Sequence, residues 1–132
     1  MDKEQLMSLA VEARDLSYSP YSHFAVGAAL LCRDGTVYVG ANIENSAYSL
    51  CMCAERNAIY NAMMHGKTAD DFAALAVVAD TEGPCTPCGA CRQVFAEFFA
   101  DDMPIYMGNL EGDIQETTIK ELLPYAFSGD VL

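Results

Sequence analysis

Two short cysteine-bearing segments stand far apart in the chain, Cys53-Ala54-Glu55 and Pro87-Cys88-Gly89-Ala90-Cys91. Hydrophobic spacing predicts that each opens a helix. Ala54, Ala58, Ile59, Ala62 and Met63 recur at helical intervals from about Cys53 to His65, with Gly66 where a C-terminal cap belongs. A further helix is expected from about Ala90 to Ala100. Zinc(II) accepts thiolates in tetrahedral geometry, and a catalytic zinc keeps three protein ligands and one open position for water. Cys53, Cys88 and Cys91 meet that count. Helix N-termini carry partial positive charge and unpaired amides, which lower a thiol pKa, so the fold is expected to turn two helix starts toward one metal.

Three thiolates leave such a centre net negative. Arg56 is the adjacent residue able to offset this, by donating hydrogen bonds to a ligand sulfur. Glu55 is not a co-ligand of Cys53, since residues two apart on a helix do not share a face. Its carboxylate is instead suited to moving protons at the metal: from water, to a ring nitrogen and then to a departing amine, the steps of a hydrolytic deamination.

The rest of the pattern predicts an α/β chain. Leu6, Leu9, Ala10, Ala13 and Leu16 give an amphipathic helix over Lys3 to Ser17, ended before Ser19-Pro20-Tyr21. Strands over Phe24 to Cys32 and Thr36 to Gly40 flank a turn at Arg33-Asp34-Gly35. Ala73 to Ala79 is wholly apolar, as expected of a central strand covered on both faces. Strands at Ile105 to Met107 and Ile114 to Glu116 precede a short helix from Ile119 to Leu122, stopped at Pro124. The order implies three α/β/α layers around a mixed sheet of about five strands, in one domain spanning residues 1–132.

Charge narrows the partners. Nineteen acidic residues against seven basic ones give a net charge of −12. Such a surface disfavours nucleic acid and anionic membranes, because binding phosphates rests on clustered Lys and Arg. The opening Met1-Asp2-Lys3-Glu4-Gln5 is followed by no signal-type apolar stretch. A cytoplasmic, reducing location is therefore expected, where six cysteines suit metal binding or catalysis better than disulfides.

Cys53-Ala54-Glu55-Arg56 followed by Pro87-Cys88-Gly89-Ala90-Cys91-Arg92-Gln93 resembles the zinc-dependent cytidine deaminase family, specifically its small homotetrameric branch, where the ligand set is all cysteine. The resemblance continues through Tyr18-Ser19-Pro20-Tyr21-Ser22, Phe24-Ala25-Val26-Gly27-Ala28-Ala29-Leu30, Asn42-Ile43-Glu44-Asn45 and Leu122-Leu123-Pro124, nearly the whole chain. It implies one Zn2+ per subunit, a nucleoside substrate, and conversion of cytidine and deoxycytidine to uridine and deoxyuridine with release of ammonia, a pyrimidine salvage step. It further implies that Asn42 and Glu44 bond the ribose hydroxyls, that Phe24 packs on the pyrimidine, and that Glu55 and the Ala54 amide contact the ring. The Thr86 carbonyl would hold the exocyclic amine. Tyr48 and Phe127 would reach into a neighbouring subunit's site within a tetramer. Ser46, Thr86 and Tyr125 stand where relatives often carry Ala, Ser and Gly.

Alternatives stay open at this point. Cys85 precedes Cys88 by three, making Pro84-Cys85-Thr86-Pro87-Cys88 a second Pro-Cys-x-x-Cys. A structural zinc held by four cysteines, with Cys51 or Cys85 as the fourth, would close the open position and leave Glu55 unexplained. Otherwise Cys32, Cys51 and Cys85 read as small buried hydrophobes. A deaminase of cytosine-based antibiotics should lack Asn-Ile-Glu-Asn, and one acting on RNA or DNA should be basic.

Overall fold

The computed structural model describes residues 1–132. Its helices are α1 (Lys3–Arg14), α2 (Ala54–Met64), α3 (Gly89–Phe98) and α4 (Ile119–Leu122), and its strands β1 (Val26–Cys32), β2 (Val37–Ala41), β3 (Phe72–Ala79), β4 (Ile105–Asn109) and β5 (Ile114–Thr117). The five strands form one sheet in the order β2-β1-β3-β4-β5. β3 and β4 run parallel, and every other neighbouring pair is antiparallel. The mixed five-strand sheet and the central place of the apolar β3 are as the sequence predicts.

Strand alternation sends the two sets of β3 side chains to different layers. Leu75, Val77 and Ala79 join Ala28 and Leu30 of β1 against Ala58 and Ile59 of α2 and Phe95 of α3. Ala74, Ala76 and Val78 join Ala29 against Leu6, Met7 and Ala10 of α1. Burying each large aliphatic side chain favours the folded state by roughly 1.5–3 kcal/mol. The sheet is thereby held from both sides, with α2 and α3 on one face and α1 on the other.

Two glycines let helices lie directly on strands. A Cβ at Gly27 would sit 2.0 Å from the Ala10 carbonyl oxygen of α1. One at Gly40 would sit 2.3 Å from the Ala58 nitrogen and 2.4 Å from the Ala54 oxygen of α2. The second contact fixes how closely α2 approaches β2.

Several element ends differ from expectation by one to three residues, and at α1 and β1 a side-chain hydrogen bond accounts for the difference. α1 stops at Arg14, whose Nε donates to the Ala25 carbonyl (3.1 Å), and the chain turns away there, so Leu16 is 66% exposed instead of extending the apolar stripe. β1 starts at Val26 and not at Phe24. The Asn42 amide takes the place of a strand partner, accepting from the Val26 nitrogen (2.9 Å) and donating to the Phe24 carbonyl (2.8 Å). At the hairpin Gly35 adopts φ +92°, the left-handed backbone that an Asp-Gly turn requires.

Gly40→Ala is expected to push α2 off β2 and lower stability by at least about 2 kcal/mol. Urea unfolding monitored by circular dichroism checks this; an unchanged midpoint would mean the contact is not tight.

Candidate active site and metal centre

Cys53 is the residue that caps the start of α2, and Cys88 caps α3. The Cys88 sulfur accepts from the Cys91 backbone nitrogen (3.5 Å), which carries Cys91 into the first turn, buried. Cys53 and Cys88 sulfurs lie 3.6 Å apart and those of Cys88 and Cys91 3.4 Å apart. All three fall within 4.8 Å of one another. Sulfurs around a tetrahedral zinc at the usual Zn–S length sit roughly 3.8 Å apart, so the trio is close to the size the ion needs. Cys51 and Cys85 are not part of this cluster. The Cys51 sulfur is engaged with the Asn45 backbone, accepting from its nitrogen at 3.3 Å.

Charge supports the same fit. Arg56 Nη2 donates to the Cys53 sulfur at 3.2 Å. The nearby Arg92 is committed elsewhere, to the carbonyls of Pro87 (2.8 Å) and Leu122 (2.9 Å), tying the start of α3 to α4. Hydrogen bonds from the Cys91 thiol and from Arg56 and Cys88 hold the Cys53 thiol down to about 5, although burial opposes this. Cys91 is pushed up, first by its hydrogen bond to Cys53 and then by burial and the Glu55 charge. A divalent cation held by these sulfurs would supply the positive charge that lets all three ionise.

Glu55 follows in the first turn of α2 and is only 4% exposed. Burial drives its pKa up to about 7, with the Cys53 charge adding to the effect. A carboxyl poised there can both take and give a proton at neutral pH.

These groups open into a cavity of about 320 Å³. Cys53, Ala54, Glu55 and Cys88 line one part of it, Asn42 and Glu44 another, and Phe24 contributes an apolar wall. Asn42 spends most of its amide on the protein: Oδ1 accepts from Val26 and from the Ser17 hydroxyl (2.5 Å), while Nδ2 donates to Phe24 and keeps one hydrogen free. Glu44 Oε1 accepts from the backbone nitrogens of Tyr21 (3.0 Å) and Ser22 (3.1 Å), and Oε2 from the Ser22 hydroxyl. Those donors, the Ser22 hydroxyl first, hold its pKa below the usual carboxylate range.

Tyr48 and Phe127 do not line the cavity. They are 70% and 60% exposed, Tyr48 on a single turn at Tyr48–Leu50 edge-on to Tyr21, and Phe127 held by its carbonyl, which accepts from Gln93 Nε2 (2.9 Å). Three residues given no contact with substrate in the sequence reading also line it: Ser22, Val26 and Cys85. Burial pushes the Cys85 thiol up to about 12, with the Glu55 charge contributing, so it stays neutral. The signal for Ser22 lay in its position two before Phe24, in the turn after Pro20.

The family described as the cytidine and deoxycytidylate deaminase zinc-binding region matches residues 1–107. The chain belongs to the cytidine deaminase family. It is a deaminase, and hence a hydrolase, with a zinc-binding region whose cysteine cluster is Cys53, Cys88 and Cys91. A cytidine deaminase of Sporosarcina psychrophila is 59% identical over 132 residues, covering 100% of this chain and 96% of that protein. One from Halalkalibacterium halodurans is 55% identical over 130 residues, 98% of this chain and 97% of that protein. Among solved structures, the cytidine deaminase of Burkholderia pseudomallei superposes with TM-score 0.94 at 46% identity, covering 96% of this chain and all of that one. The fold is that of the cytidine deaminases.

Arg56→Gln is expected to lower zinc affinity about 10–100-fold, read by chelator competition. Cys85→Ala should keep one zinc per chain by elemental analysis, whereas Cys88→Ala should lose it; zinc loss in Cys85→Ala would reassign the ligand set.

Proposed function

We propose that this chain catalyses the hydrolytic deamination of cytidine and deoxycytidine, giving uridine or deoxyuridine and ammonia, as a step of pyrimidine salvage in the cytoplasm. The observation that carries this reading is a single cavity joining a buried carboxyl beside three convergent sulfurs to a second polar end at Asn42 and Glu44. A cavity of about 320 Å³ lined by both sets of groups has room for a base attached to a sugar. Relatives bearing the name cytidine deaminase at 59% and 55% identity support the same substrate class.

In this reading Cys53, Cys88 and Cys91 hold one zinc ion. Bound there, zinc supplies Lewis acidity that makes water nucleophilic near neutral pH. Glu55 accepts a proton on its carboxylate, gives it to the ring nitrogen beside the amine-bearing carbon, and carries a second one to the departing amine. Its pKa of about 7 suits both directions. Arg56 stabilises the Cys53 thiolate without touching substrate. Phe24 packs on the pyrimidine, the Ala54 amide bonds the ring, and the Thr86 carbonyl holds the exocyclic amine until it leaves. Asn42 offers its remaining Nδ2 hydrogen, and Glu44 a lone pair on Oε2, to ribose hydroxyls. Polar groups built for hydroxyls bind a bare base poorly, because they are then left without partners.

The chain acts as one domain and assembles as a homotetramer with shared sites. Support comes from Tyr48, Tyr125 and Phe127, large aromatic side chains left exposed on the single chain. No helix is long and apolar enough to cross a membrane, and the charge of −12 disfavours nucleic acid.

Glu55→Gln is expected to retain zinc while ammonia release from cytidine falls about 10²–10⁴-fold. Retained turnover would remove Glu55 from the mechanism. Dilution to a monomer, followed by analytical ultracentrifugation, should abolish activity; a fully active monomer would rule out shared sites.

A further inference from the structure

Residues 18–24 and 42–44 form a small unit outside the sheet. Tyr18 and Ile43 are bridged, with the Tyr18 nitrogen donating to the Asn42 carbonyl (3.0 Å) and the Glu44 nitrogen to the Tyr18 carbonyl (2.8 Å). After Pro20 the chain reverses: the His23 nitrogen donates to the Ser19 carbonyl (3.0 Å), and His23 takes a left-handed backbone at φ +56°. The reversal brings the Ser22 hydroxyl between two groups of the pocket. It donates to Glu44 Oε2 and accepts from the Phe24 nitrogen at 3.0 Å.

The geometry points to Ser22 as a positioning residue for sugar recognition, whose hydroxyl registers the Glu44 carboxylate against the Phe24 wall. This inference rests on the reading of Glu44 as a ribose ligand. Ser22 touches neither the sulfurs nor Glu55 in any hydrogen bond, so its influence acts on binding of the sugar and not on proton transfer. Glu44 Oε1 is fixed by two backbone nitrogens. The Ser22 hydroxyl is the donor that settles Oε2, the oxygen left to face a ligand hydroxyl. Removing that hydroxyl frees the carboxylate to rotate about Oε1 and releases the Phe24 amide from its acceptor. A ribose hydroxyl then meets an acceptor that is not prepositioned, and ordering it on binding costs affinity.

Steady-state kinetics on cytidine and on 2′,3′-dideoxycytidine, which lacks the 2′ and 3′ hydroxyls and keeps the 5′, test this in the zinc-loaded protein. Glu44→Gln should lose most of the preference for cytidine. Ser22→Ala should reduce the kcat/KM ratio of the two substrates about tenfold, with the change in KM for cytidine and kcat held within about twofold. Ser22→Thr, which keeps the hydroxyl, should keep the wild-type ratio. Ser22→Gly removes the same hydroxyl and takes the place of Ser22→Ala if that variant fails to fold. A wild-type ratio in Ser22→Ala or Ser22→Gly, with the ratio lost in Glu44→Gln, overturns the inference and leaves the ribose reading intact. A fall in kcat equal for both substrates also overturns it, since that marks a general structural defect. A wild-type ratio in Glu44→Gln overturns the ribose reading itself.

Discussion

The convergence of two helix N-termini on three sulfurs is the constraint on which the rest of the structure depends. Thiols so close together repel one another when ionised, and they are tolerable only where positive potential has been arranged. Here it comes from the first turns of α2 and α3 and from the Arg56 guanidinium on the Cys53 sulfur. Both helices must then sit on the same face of the sheet. They do so because Leu75, Val77 and Ala79 of β3 present one continuous apolar surface to them, and because Gly40 removes the atom that would hold α2 away from β2. Glu55 inherits its burial from this docking, being placed in the first turn of a helix pressed against the core.

Much of this is readable in the residues themselves. The apolar run Ala73 to Ala79 announces a doubly covered strand, and the structure centres it in the sheet. The spacing of Ala54, Ala58, Ile59 and Ala62 puts helix α2 where it lies, with Cys53 at its cap. Cys85 and Cys91 could not be separated as ligands by spacing alone, since each lies three residues from Cys88. The difference is one of local structure: Cys91 is in the first turn of α3 beside its cap, while Cys85 precedes the helix on a segment whose nitrogen donates to Gly108 at the end of β4 (3.0 Å).

What was not readable lies where side chains replace regular backbone pairing. The amide of Asn42 substitutes for a strand partner beside Phe24 and Val26, and no periodicity encodes that exchange. The position of Ser22 two before Phe24 was visible, but its bond to Glu44 was not, because that bond exists only once the turn after Pro20 has closed. Leu16 fits a helical stripe in sequence, yet α1 has already ended, since its last turn is anchored to the Ala25 carbonyl. In each case a tertiary hydrogen bond overrode a local preference.

The two ends of the cavity are built on different kinds of support. The sulfurs and Glu55 ride on helices locked into the core, so changes there disturb folding and chemistry together. Asn42 and Glu44 belong to an outlying pair of segments, cross-linked mainly by their own hydrogen bonds. In the proposed reading, changes at Ser22 and Glu44 alter which sugars are accepted while the helices that carry the sulfurs stay docked on the sheet. If that reading holds, a lineage carrying this fold is free to explore new nucleosides while the reaction it performs on them stays fixed.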